Sequence, residues 1–369
     1  MDIEADAISL IACIKYKASI IKRKKHMNKL ILPAFLVAAS VAPFAQANQT
    51  LCVYDLLGSA GDMVNIAKDY SLAAQSMGAK ISIKAYTDER VATEDLKAGE
   101  CDAVMATGFR TRQFNPTAAA LDSLGVSTII RNGKVDMPAS YETVRKTIQT
   151  FSSPAASKLM VNGRYEVAGI IPFGTAYPVV NDRKINTVEA LAGKRIASFD
   201  YDKAQAIMIQ KIGAQPVSAD ITNFAGKFNN GSVDFIAAPA MAYRPLELYR
   251  GIGTKGAIQR FPILILTYQI IINETKFPEG FGLKSRQYWL GQFNRAMTLV
   301  NKAEKDIPAS TWGDLTPENM VKYTIMLRDS RIAIAEQGVY DKPGLKIIKR
   351  VRCSISSADS ECSANTENW

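Results

Sequence analysis

From residue 50 onward the chain alternates short β-type runs with helical patterns, and this alternation constrains the fold more than any other feature. TLCVYDLLGSAGDMVNIAKDY, residues 50–70, sets the type. A β-type run over 51–55 meets a glycine turn, Gly58-Ser59-Ala60-Gly61. Apolar residues at Met63, Ile66, Ala67, Tyr70 and Ala74 then predict a helix over 60–77. Strands follow at 80–86 (KISIKAY) and 102–106 (DAVMA), with a short helix at 91–98 between them. After helices at 117–124 and 139–151, EVAGIIP predicts a strand over 166–172. Further strands fall at 195–199, 215–218 and 233–238. Helices at 187–192, 202–212 and 221–229 separate them, and one at 243–250 follows. Such alternation predicts an α/β fold with a parallel sheet, helices on both faces and right-handed crossovers.

PILILTYQIIIN, residues 262–273, is the longest β-type run. It is too long and too β-branched for a helix and suits a strand that crosses between two lobes. Helices are predicted beyond it at 285–305 and 316–338. Thr316 before Pro317 makes a helix start and Gly338 a stop. From Asp341 the tail reads as basic, then polar. The expected organisation is two α/β lobes joined by crossing hinge strands, with a cleft between them. Lobe 1 would hold residues 48–172 and 266–369, and lobe 2 residues 173–265.

The N-terminus belongs to targeting. MNKLILPAFLVAASVAPFAQA, residues 27–47, has Lys29, an apolar run from Leu30 to Phe44 and an Ala45-Gln46-Ala47 end, the pattern of a secretory signal cleaved after Ala47. The apolar run is short for a membrane span, which takes about 20 residues. Residues 1–47 are therefore an N-terminal extension plus a signal. The chain has a formal net charge of +10. Seven basic and three acidic residues lie ahead of Asn48, so the mature part is mildly basic, without clustered Lys or Arg. A solvated basic surface accounts for this, and no nucleic-acid partner is expected.

Histidine and cysteine usage narrows the chemistry. The only histidine is His26. The mature chain thus has no Ser-His-Asp or Cys-His system and no histidine metal site. No enzyme, cofactor or metal is expected. Cys52, Cys101, Cys353 and Cys362 remain, an even number suited to an oxidising compartment, with three pairings possible. Two disulfides are expected, Cys52–Cys101 between neighbouring strands and Cys353–Cys362 within the tail.

LLGSAGD itself raises a phosphate-cradle reading. However, the Lys-Ser/Thr that follows a Walker-type loop is absent, and G-x-x-G is half of a dinucleotide fingerprint. The phosphate-cradle reading therefore does not hold.

INTVEALAGKRIAS (185–198), Gly213-Ala-Gln-Pro-Val217 and Gly231-Ser-Val-Asp234 occur in this order at sensible spacing. In this set the chain resembles a divergent member of the DctP-like binding proteins of TRAP transporters, over most of residues 50–335. The resemblance implies the type II periplasmic binding protein fold. It also implies a periplasmic protein that captures a small solute by hinge closure and delivers it to membrane transporter subunits. One departure concerns the ligand: Ala197 stands where the family pattern has an arginine that clamps a substrate carboxylate. Two other readings use the same fold: an adaptor or sensor of a membrane or efflux system, and a secreted enzyme.

Cleft contacts are expected at strand ends and helix starts. Gly58 and Ser59 would face the ligand or form a turn and cap. Thr107, Phe109 and Arg110 follow the DAVMA strand; Arg110 would replace the missing clamp, or sit on the surface with a carboxylate. Ser198, Asp200 and Tyr201 end the 195–199 strand, where Asp200 would contact the ligand or cap the next helix. Pro239 and Tyr243 follow 233–238. Thr267 would reach the cleft or lie in the hinge, whereas Tyr288 and Trp289 read as core.

Overall fold

The computed structural model describes residues 48–364, 366 and 367; the export signal expected over 27–47 and its cleavage point lie outside the described residues. Eight principal strands share one sheet: β1 (Asn48–Tyr54), β2 (Lys80–Tyr86), β3 (Ala103–Thr107), β4 (Tyr165–Val180), β5 (Arg195–Phe199), β6 (Gln215–Ala219), β7 (Phe235–Pro239) and β8 (Leu264–Asn273). Their order is β2-β1-β3-β8-β4-β7-β5-β6. β1 pairs in parallel with β2 and β3, and β5 in parallel with β6 and β7. The sheet is therefore mixed and not parallel throughout as the alternation predicts: between these parallel ends run β4 and β8, each antiparallel to its neighbours, because the crossing strands carry the chain from one half to the other and back. The fold is α/β, with the two crossing strands at its centre.

β4 is the main departure from the sequence reading, which ends that strand at residue 172. Pro172, Gly174 and Pro178 look like breakers. In the structure the strand continues through them. Leu266 pairs with Gly174 and Thr267 with Pro172, so Phe173 is left as an extra residue in a bulge. Gly174 takes φ +121° there, a conformation open to glycine. A proline and a glycine that would break a regular ladder are accommodated where the ladder is already irregular.

The longer helices are α1 (Asp62–Ser76), α2 (Glu89–Ala98), α3 (Met137–Phe151), α4 (Lys203–Lys211), α5 (Phe224–Asn229), α6 (Phe281–Gly291), α7 (Phe293–Lys305), α8 (Pro317–Glu336) and α9 (Lys342–Ile355). α1 buries Met63, Ile66, Ala67, Tyr70 and Ala74, the spacing that predicts it. The helix expected over 285–305 is two helices, separated at Gln292 just after Gly291. The helix expected over 243–250 is a 3-10 turn, Ala240–Ala242, and a short helix, Tyr249–Ile252; Pro245 interrupts the pattern. The helices expected at 187–192 and 117–124 shrink to a 3-10 turn, Glu189–Leu191, and to Pro116–Ala119 followed by a 3-10 turn. Trp289 is fully buried against Tyr70, with ring centroids 4.8 Å apart, while Tyr288 is half-buried beside it.

The tail is folded. Asp341 caps α9 by accepting from Gly344 N at 2.7 Å, and Leu345 and Ile348 are buried. The lysines and arginines around those apolar positions mask the helical period in the sequence. Arg331 of α8 binds Glu367 (2.6 and 3.0 Å), Glu361 (3.0 Å) and the Leu124 carbonyl (2.6 Å), all buried. Arg352 of α9 binds the same Glu361 and the Val126 carbonyl. Cys353 is bonded to Cys362 across this cluster. Cys52 of β1 is bonded to Cys101, just before the neighbouring β3. Among the described residues no helix is long and apolar enough to cross a membrane.

Candidate functional site

The carboxyl ends of β1, β2 and β3 meet those of β5 and β7 across the crossing strands, and a cavity lies between them. Its walls include Tyr54 and Thr107 from one side, Ala197, Phe199 and Pro239 from the other, and Phe173 from the β4 bulge. Room for the centres of water-sized spheres amounts to about 80 Å³, against about 10–15 Å³ for one water on that measure. The walls are overwhelmingly apolar. Leu56, Phe109, Ile196, Met208, Ile209 and Phe224 are among the remaining contributors.

The polar corner is built by α2. Asp88 caps that helix by accepting from Arg90 N at 2.8 Å, which makes Glu89 its first residue and turns its side chain inward. Glu89 is 1% exposed. Its Oε2 accepts from Thr107 Oγ1 (2.7 Å) and Thr107 N (3.2 Å), and its Oε1 from Tyr201 Oη (2.7 Å). Burial pushes the Glu89 carboxyl up from the ordinary range, against the lowering effect of those hydrogen bonds and of Arg110. Tyr54, the last residue of β1, adds a buried hydroxyl with no hydrogen-bond partner among the described residues. Gln205 of α4 also lines the cavity, its side-chain oxygen accepting from Phe199 N at 2.9 Å. Among the described residues, no lysine or arginine lines this cavity.

An adjoining cavity of about 250 Å³ shares Leu56 and Phe173 with the first. Asp55, Asp62, Tyr243, Arg244, Lys302 and Asp306 give it a charged lining. The rings of Tyr54 and Tyr268 stack at 6.1 Å, and Phe173 lies 4.5 Å from Tyr268.

The residues singled out from the sequence fall into two groups. Thr107, Phe109 and Pro239 line the main cavity, and Tyr201 reaches its edge through Glu89. The others stand elsewhere. Gly58 and Ser59 are on the outer turn: Gly58 has φ +57° and Ser59 is exposed. Arg110 turns away from the cavity; its Nε donates to Thr93 Oγ1 at 3.0 Å, Glu94 lies at 3.6 Å, and its guanidinium sits 4.7 Å over the Tyr201 ring. Ser198 is buried but is not among the lining residues, although its strand neighbours Ala197 and Phe199 are. Asp200 is exposed, and the cap of α4 is Asp202, which accepts from Ala204 N at 3.1 Å and pairs with Arg112 at 3.2 Å. Tyr243 lines the adjoining cavity. Thr267 is wholly buried and donates to Asp122 through its N (2.7 Å) and Oγ1 (2.6 Å).

The glycine loop has a clear role. Asp55, directly after β1, accepts from Leu57 N (2.9 Å), Met63 N (2.8 Å) and Val64 N (3.4 Å). The helix N-terminus that a phosphate would use is taken by the chain's own carboxylate.

Sequence reasoning missed Tyr54, Glu89 and the Phe173 bulge. The first two were within reach: both stand at the carboxyl end of an N-terminal strand, where the cleft was expected. Phe173 depended on a strand continuing past Pro172.

Over residues 71–367 the chain matches the family model described as solute-binding protein AdeT 1/2. It is 43% identical over 315 residues to the Acinetobacter baumannii protein named "Probable solute-binding protein AdeT1", covering 85% of this chain and 100% of that one. A second relative from the same organism, "Probable solute-binding protein AdeT2", is 30% identical over 223 residues, 60% of this chain and 92% of that one. Among solved structures, a TRAP periplasmic solute-binding protein from Ralstonia eutropha with bound (S)-2-acetolactate has a TM-score of 0.66 at 13% identity. That match covers 84% of this chain and 99% of the other. One from Shewanella oneidensis with bound succinate has a TM-score of 0.60 at 11% identity, over 84% and 100%. At these identities the likeness is one of fold: the two-lobe, type II arrangement.

Proposed function

Because the chain belongs to the AdeT 1/2 solute-binding protein family, we propose that it captures a small solute in the cavity between its lobes and delivers it to a membrane transporter. The observation that carries this reading is the apolar cavity where strand ends from both halves of the sheet converge. Residues 48–172 with 266–369 form one lobe and 173–265 the other. The boundary falls at the Phe173–Gly174 bulge and its partner Leu266, where the ladder is irregular and bending is least resisted. The site consists of Tyr54, Glu89, Thr107, Phe109, Phe173, Ala197, Phe199 and Pro239, with Tyr201 holding Glu89. The protein works in the periplasm after cleavage behind Ala47, and does no chemistry on its solute.

The fold of the solved neighbours supports the reading, and so does their capture of small molecules, acetolactate and succinate among them. The test is closure. Small-angle X-ray scattering on the mature chain, with and without members of a broad solute panel, should show a smaller radius of gyration for the solutes that also raise the unfolding temperature. Bound solute at about 100 times its Kd should add about 2.7 kcal/mol of stability. A panel in which no solute changes either quantity would reject the proposal.

A further inference from the structure

Among the described residues the cavity wall carries one ionisable carboxyl, Glu89, and no cationic side chain to oppose a ligand carboxylate. Arg110 and Arg112, which follow the lining residue Phe109, are engaged elsewhere. Arg110 is held by Thr93 and Glu94 and lies over the Tyr201 ring, and Arg112 is paired with Asp202. At position 197 the strand offers a methyl group to the cavity. An anion entering here would lose its hydration, meet no compensating charge and face a buried acid. An apolar body, by contrast, finds Leu56, Phe109, Phe173, Phe199, Met208 and Phe224 around it. The polar atoms within the wall are also specific. Tyr54 Oη is buried without a partner, and a hydroxyl left that way is costly until a ligand pairs with it. Glu89, which already accepts from Thr107 and Tyr201, has acceptor capacity left on its two oxygens.

We propose that the cavity selects a compact, mainly apolar molecule that bears a hydrogen-bond-donating head, an alcohol or amine, and carries no negative charge. The head pairs with Tyr54 Oη and Glu89, and the body lies against the aromatic and aliphatic wall. This deepens the solute-capture reading and rests on it. The chemistry differs from that of neighbours solved with bound acids, such as succinate or orotic acid.

One aromatic body with three heads tests it: 2-phenylethanol, 2-phenylethylamine and phenylacetate, with succinate as a second anion. Each is titrated into the mature chain by calorimetry and by unfolding temperature. The alcohol and amine should bind, with phenylacetate at least about tenfold weaker, a difference of about 1.4 kcal/mol. Tyr54→Phe, which keeps the ring and removes only the hydroxyl, should weaken the alcohol about fivefold. Glu89→Gln should weaken the amine more than the alcohol and narrow the gap to phenylacetate. Unfolding temperatures without probe show whether each variant is folded. Phenylacetate or succinate binding as tightly as the alcohol would overturn the assignment and leave solute capture standing. So would acids binding while both donor heads fail. Silence of all three aromatic probes overturns the assignment as well, and solute capture falls with it only if the broad panel gives no closure.

Discussion

Asp55 and Gly61 are made for each other. The Asp55 carboxylate fills the space that a side chain at Gly61 would need, and any β-carbon there would fall inside it. From that position it accepts the N–H groups of Met63 and Val64 at the start of α1. Gly61 is extended (φ −79°), so the requirement for glycine at this point is one of space.

The loop should therefore respond to mutation as a helix cap. Asp55→Ala leaves two buried N–H groups, those of Met63 and Val64, and the part-buried one of Leu57 without their acceptor and should cost about 1–2 kcal/mol in urea denaturation. Gly61→Ala should cost at least as much by displacing the carboxylate. Inorganic phosphate should leave the unfolding temperature of the wild type unchanged, because the helix N-terminus is already occupied.

Asp122 should make folding stability depend on pH. Burial pushes its carboxyl up to about 7 from 3.8, against hydrogen bonds from Thr267. The folded state thus holds this proton more tightly than the unfolded chain. The contribution is fully present below about pH 4 and is lost as pH rises through about 7. Asp122→Asn keeps a side chain able to pair with Thr267 N and Oγ1 and has no proton to lose. Denaturation curves at pH 4 to 8 should show a flatter slope for the variant than for the wild type. Equal slopes would mean that another group carries the effect.

Breaking the tail cluster should be strongly destabilising, and neutralising an orphaned carboxylate should offset part of the cost. Arg331→Ala leaves Glu361 and Glu367 buried with less of their compensating charge, at a cost of about 3–5 kcal/mol. Adding Glu367→Gln to that variant, which leaves the Glu361–Arg352 pair in place, should recover part of the loss in the same urea titration. A loss unchanged by the added substitution would show that packing, and not charge, sets the cost.

Gly174→Ala tests the bulge in β4. The nearest atoms to an added β-carbon are Val300 Cγ1 at 3.6 Å and Pro239 Cβ at 3.7 Å, so space is available. The cost comes from φ +121° and should be about 1–3 kcal/mol by denaturation. A neutral substitution would mean that the bulge relaxes to a conformation alanine accepts.

The sequence by itself determined the local elements and their class. Alternating periods placed β2 at 80–86 and β5 at 195–199, and the capping pattern at Thr316-Pro317 placed the start of α8. These depend on residues close in the chain, whose side-chain spacing carries the signal. Tertiary structure decided what those elements do. Pro172 and Gly174 read locally as a break, yet the ladder with Leu264–Asn273 carries the strand through them, because the irregular register there needs neither the missing N–H nor a regular φ. Arg110 reads as a clamp by position, yet Thr93 and Glu94 of α2 hold it away from the cavity. Glu89 lies just ahead of the helix that the sequence predicts over 91–98 and carries no local signal, yet Thr107 and Tyr201, from strand ends in the two halves of the sheet, make it the polar centre of the site. In each case the deciding partner is distant in sequence, and only packing brings the two together.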